Sequence, residues 1–188
     1  KSSRYSTPFT NPLGRVVEVT DEPTGSVIFN SASAFPTNDE EMDLLVTTSL
    51  YVSNLMHSIS GGEYQTWAKA DTTLNIETNL EVSNAYFDGD WGIHFGTGYI
   101  TDDVVAHEWG HGYMETATEI LYQYQPGAMD EAFADLLGES IDILNGDTSD
   151  VDAMRSSVYP PVCTTERGGT DAGKRWAMGE DITGGSIR

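Results

Sequence analysis

The segment that most constrains this chain runs from Asp103 to His111, and within it stands His107-Glu108-Trp109-Gly110-His111. On a helix, positions i and i+4 share a face, so His107 and His111 can hold one ion between them. Neutral imidazole is a common zinc ligand, and a zinc that does chemistry keeps three protein ligands plus an open position for water. Glu108 projects about 100° round the helix, where it can act on such a water rather than bind the metal. A pattern this short also arises by chance in unrelated proteins. Histidine is scarce here, with only His57, His94, His107 and His111, and two of the four fall in register. The reading therefore depends on finding a third ligand.

With 188 residues the chain is long enough for one ordinary core, and its length does not demand two domains. The formal net charge of −21 is incompatible with binding nucleic acid or an anionic membrane surface. Such acidity fits calcium binding, a cationic substrate, or solubility in a salty medium. No apolar run approaches the ~18 residues needed to span a bilayer. A basic stretch followed by an apolar one is also missing from the start, so Lys1 reads as a processed or artificial N-terminus. The single Cys163 is either a free or buried thiol or a half-cystine whose partner lies outside this sequence.

Residues 1–36 are rich in Ser, Thr, Pro, Asn and Gly, with short β-type runs at Arg15–Val19 and Ser26–Asn30. Thr37 and Glu40 have capping-box spacing and announce a helix. It carries Leu44, Leu45, Tyr51, Val52, Leu55, Met56 and Ile59, and Gly61-Gly62 stops it. His57 on that helix reads as structural. Leu74, Ile76, Leu80 and Val82 then alternate with polar residues, as a strand would. The Gly96-Thr97-Gly98 stretch is too short for a phosphate loop and reads as a turn. The expected fold class is α+β: a β-rich first part with one long helix over 1–100, then two helices carrying the chemistry over 101–146, then 147–188.

Thr101 or Asp102 can cap a helix running to about Thr118. Gln125-Pro126-Gly127 reads as the end of a linker, and a second helix is expected from about Ala128 to Leu144, closed by Asn145-Gly146. On the first, Asp103, His107 and His111 form an i, i+4, i+8 stripe. On the second, Glu131, Asp135 and Asp142 fall within roughly 40° of one another. Carboxylates inside an otherwise apolar helix are costly to bury without partners. Packed antiparallel, the stripes match: Glu131 meets the histidines as third ligand, and Asp135 can accept the far N–H of one of them. Asp103 and Asp142 meet at the other end as a pair that would repel unless a cation such as calcium lay between them. A merely solvated face of acids is the alternative, and the register argues against it. Asp130 is the neighbouring candidate for third ligand, but it points about 100° away from Glu131 and loses the register with Asp135. Ala117 stands where a third histidine of a different zinc motif would fall.

These residues resemble the thermolysin-like zinc metallopeptidases, the gluzincins. The likeness runs through His107-Glu108-Trp109-Gly110-His111, Leu121-Tyr122-Gln123 and Gly127-Ala-Met-Asp-Glu131-Ala-Phe-Ala-Asp135. It extends to Asn84-Ala-Tyr-Phe-Asp-Gly upstream and to Gly179-Glu-Asp-Ile-Thr-Gly-Gly-Ser-Ile-Arg188, covering roughly 80–146 and 175–188. The resemblance implies zinc on His107, His111 and Glu131, with Glu108 as general base and proton shuttle. It implies Tyr122 as donor to the oxyanion, Asn84 and the Ala85 backbone as holders of a peptide substrate, and Asp135 behind a ligand histidine. Asp103, Asp142 and Glu180 match calcium ligands of the family. Two other positions of that cluster are Arg175 and Ala177, and Asp147, Asp150 and Asp152 in an insertion at about 147–174 could substitute. Asp130 stands where the family has an asparagine.

The family's members are secreted zinc endopeptidases with a second, mostly helical lobe that closes the cleft and brings a further histidine. No histidine follows His111 here, so the expectation is an N-terminal lobe plus central helices, with the second lobe missing or carried on another chain. Cys163 could be disulfide-linked to that lobe. Two rivals remain at this point. One is a non-catalytic pseudo-protease or metal-stabilised interaction module. The other is an acidic calcium-binding domain in which Glu131 points elsewhere.

Overall fold

The computed structural model describes residues 17–30, 33–63, 74–89, 92–118, 121–144 and 182. The expectations placed on Cys163, Arg175, Ala177, Glu180 and the 147–174 insertion lie outside the described residues. In chain order the elements are β1 (Val17–Asp21), β2 (Ser26–Asn30), α1 (Glu40–Ile59), β3 (Leu74–Leu80), β4 (Ala85–Phe87), β5 (Gly92–Gly96), α2 (Asp102–Thr118) and α3 (Tyr124–Leu144). The class is α+β, as the sequence patterns imply.

The strands form one sheet in the order β2-β1-β3-β5-β4. β1 and β2 pair antiparallel, as do β4 and β5, while β3 runs parallel to both β1 and β5. Alternation along the strands turns Val19, Leu74, Ile76, Ile93 and Phe95 to one buried side. They join a single apolar cluster with Leu45, Val46, Val52 and Met56 of α1 and Val104, Val105, Trp109 and Tyr113 of α2. Trp109 donates its indole N–H to Ser49 Oγ at 3.1 Å, tying α2 to α1 inside the core. Burial pushes the Tyr113 phenol well above its ordinary range, although a hydrogen bond with Ser53 opposes the shift.

The other side of the sheet carries a row of polar side chains in register. Glu77 on β3 pairs with His94 on β5, and His94 with Tyr86 on β4. His94 is buried, with Nδ1 2.9 Å from Glu77 Oε2 and Nε2 3.0 Å from Asp88 Oδ2. Tyr86 stacks on its ring at 4.6 Å. Burial, with the charges of Glu77, Asp88 and Glu22, pushes the Tyr86 phenol up. Sequence reasoning passed over His94 altogether.

Two helix starts differ from expectation. Asp39, not Thr37, caps α1, accepting from the amides of Glu41 and Met42 at 3.1 and 3.2 Å. Thr37 lies two residues too early for that task, and instead donates its amide and its hydroxyl to Asp43 Oδ1, each at 2.7 Å. α3 begins at Tyr124 rather than near Ala128, so Gln125-Pro126-Gly127 is helix and not linker. Pro126 then falls in the first turn, where its missing N–H has no helical acceptor to lose.

Candidate metal centre

α2 packs chiefly on α3, and the closeness of the two has a local cause in Gly110. A Cβ there would lie 2.8 Å from the Ala134 Cα and 3.2 Å from its Cβ. The glycine between the two histidines thus lets the helices approach until side chains one turn apart on α2 meet carboxylates on α3.

His107, His111 and Glu131 do meet: one donor atom from each lies within 4.8 Å of the others, and among the described residues this is the one such group. His107 Nε2 is 3.0 Å from His111 Nε2 and 3.8 Å from Glu131 Oε2. His111 Nε2 is 3.6 Å from Glu131 Oε1. Two donors on one tetrahedral zinc at about 2.1 Å stand about 3.4 Å apart, and the three separations bracket that value.

The backs of the two imidazoles explain why their Nε2 atoms converge. His107 Nδ1 lies 3.0 Å from Asp135 Oδ1. His111 Nδ1 lies 2.5 Å from Asp130 Oδ1. Carboxylates accept and do not donate, so a neutral imidazole that donates from Nδ1 to such a neighbour turns an Nε2 lone pair towards the shared position. The two Nε2 atoms stand 3.0 Å apart, close enough to share one cation. The donor set therefore fits a metal ion on its own geometry.

Asp130 is the part of this arrangement that the sequence argument mislaid. Its carboxylate meets the Nδ1 atom of His111. When two imidazoles point Nε2 at one place, however, their Nδ1 atoms diverge, so their acceptors must lie on different faces of α3. A register test that looks for one stripe finds Asp135 and discards Asp130.

Glu108 is buried on α2 beside the histidines. Tyr122 is largely exposed, sets its ring edge-to-face against His111 at 6.0 Å, and donates its hydroxyl to Glu131 Oε1. Asn84 is exposed just before β4. Its carbonyl accepts from the Gly96 amide at 2.9 Å, and the Asp88 amide donates to the Gly92 carbonyl at 3.1 Å. Alternation between those contacts turns the Ala85 and Phe87 backbone away from β5, towards the open edge of the sheet. Asp103 and Asp142 are both buried. Asp103 Oδ1 accepts from the Thr101 hydroxyl at 2.6 Å and the Val104 amide at 2.7 Å, a helix-start role. Asp103 and Asp142 are not part of a second three-ligand group among the described residues. No helix among them is long and apolar enough to cross a membrane.

The chain is similar to known proteins. The chain is 33% identical over 94 residues to a zinc metalloproteinase of Renibacterium salmoninarum, matching 50% of this chain and 14% of that protein. It is 38% identical over 80 residues to the neutral protease NprE of Bacillus pumilus, matching 40% of this chain and 26% of that protein. A third relative, the hemagglutinin/proteinase of Vibrio cholerae, is 25% identical over 143 residues, 69% of this chain and 23% of that protein. No protein-family model matches. Among solved structures, the precursor of protealysin, a metalloproteinase from Serratia proteamaculans, superposes with a TM-score of 0.56. That match has 21% identity and covers 77% of this chain and 47% of that one, so it shows a shared fold. The chain resembles the thermolysin-like zinc metallopeptidases in sequence and shares their fold, and it spans well under two thirds of the length of the relatives it matches.

Proposed function

We propose that this chain is the metal-binding part of a secreted zinc endopeptidase, with zinc held by His107, His111 and Glu131. The observation that carries the reading is the convergence of those three donors, with a buried Glu108 on the same helix. When bound, zinc would lower the pKa of a coordinated water towards about 7 and polarise the scissile carbonyl. The chain's own residues do the rest. A peptide adds as a strand to the open edge of β4, pairing with the Ala85 backbone while Asn84 holds its flank. Glu108 takes the proton of the attacking water and passes it to the leaving amine as the C–N bond breaks. Tyr122 turns from Glu131 to the developing oxyanion, a contact worth about 3 kcal/mol in comparable sites. Asp135 holds His107 in the tautomer that binds metal.

The share of the relatives that this chain covers supports a further lobe as the opposite wall of the cleft, with a disulfide from Cys163 as part of the proposal. On that reading these 188 residues alone turn over peptides weakly or not at all. Calcium between Asp103 and Asp142, completed by Glu180, is the finer part of the proposal and rests on the two buried carboxylates. The division of labour is a β-rich part over 1–100, the metal helices over 101–146 and a calcium-associated stretch over 147–188.

Elemental analysis of the chain and of a Glu131→Ala variant tests the core of the reading. One equivalent of zinc in the parent, lost or weakened in the variant, is expected. Zinc absent from both would refute it, and the same measurement reads calcium.

A further inference from the structure

Asp130 plays no part in the ligand assignment, yet it is buried to 6% exposure and aimed at a ligand histidine. Its Oδ1 stands 2.5 Å from His111 Nδ1, closer than the 3.0 Å between Asp135 and His107. We propose that Asp130 is a positioning residue that gives the second histidine a carboxylate partner of its own, and that this second pair sets how tightly the chain holds zinc. The inference rests on the zinc reading of His107, His111 and Glu131.

Orientation and charge separate here. An asparagine at this position can accept the Nδ1 proton through its amide oxygen and fix the ring as well. A carboxylate adds a full negative charge behind the imidazole. Charge-assisted hydrogen bonds are roughly twice as strong as neutral ones, and a carboxylate behind a ligand imidazole raises the basicity of the metal-facing nitrogen. His111 Nε2 becomes a stronger donor to a dication. A buried carboxylate is costly unless paired, and the short contact to His111 supplies the pair. With Asp135 on His107, both imidazoles of the site are backed by carboxylates, and Glu131 adds a third negative group facing the ion. The site is built for retention of a cation.

Competition with a chromophoric chelator, at fixed pH on the 188-residue chain, measures the zinc dissociation constant of the parent, Asp130→Asn, Asp130→Ala and Asp135→Ala. The expected order has Asp130→Asn several-fold weaker than the parent. Asp130→Ala should be about 10–100-fold weaker, comparable with Asp135→Ala. Nitrogen-15 spectra of the zinc-loaded proteins should show His111 protonated at Nδ1 in the parent and in Asp130→Asn, and that signature lost in Asp130→Ala. Thermal unfolding in excess chelator checks the fold, and near-isosteric Asp130→Asn should unfold close to the parent. Equal zinc affinity in parent and both Asp130 variants overturns the inference while leaving the zinc reading standing. Affinity lost only in proportion to stability in chelator also overturns it, since the role would then be structural. A parent chain that binds no zinc overturns the zinc reading and the inference together.

Discussion

At the scale of single residues, the site depends on an atom that is absent. Gly110 has no Cβ, and the Ala134 backbone fills the space one would occupy, 2.8 Å from where it would stand. Gly110→Ala should force the helices apart or twist the turn that carries both histidines. Overpacking of this kind costs about 1–3 kcal/mol, so urea unfolding should show the variant less stable, with zinc affinity reduced as well. Unchanged stability would mean that α2 and α3 can slide without loss. The residues most legible in the sequence were His107, His111, Glu131 and Asp135, because helical period alone aligns them. Asp130 was not legible, since the direction of a ring nitrogen is not a property of helical spacing. Gly110 was read only as a letter inside a motif, because what it accommodates lies 24 positions away on another helix.

At the scale of elements, the row Glu77–His94–Asp88 fastens the β4–β5 turn to the middle of the sheet. Both ring nitrogens of His94 face carboxylates, so replacement by an apolar residue leaves two acceptors without their donor. His94→Val is expected to lower stability by about 1–3 kcal/mol and to speed amide exchange in Ala85–Phe87 more than in β1 or β3. Uniform protection across the sheet would contradict this. Periodicity found β3 because its buried residues alternate cleanly. The early start of α3 escaped it because Pro and Gly usually punctuate helices, and the first turn is where a proline does no harm. The parallel pairing of β3 with β1 and β5 was not legible either, for strand direction is set by long-range contacts that no local pattern encodes. His94 was overlooked for the same reason: its partners lie 17 residues before it and 6 before it, and only the sheet brings them together.

At the scale of the whole molecule, the outward-turned backbone of β4 has a consequence beyond the proposed peptide binding. An edge able to accept a peptide strand is equally able to accept the edge of another copy, and among the described residues β2 is the other edge of the sheet, with Val27 and Ile28 exposed. Sequence specificity does not guard against this, because main-chain pairing is indifferent to side chains. The charge of −21 does, by holding copies apart at long range. Raising salt from 0.1 to 1 M shortens the screening length from about 10 to about 3 Å, so sedimentation should show self-association rising with ionic strength. A lysine placed at Phe87 should suppress it. The acidity that the composition left without a single assignment then acts as colloidal insurance for a sheet whose edge strands would otherwise pair between copies.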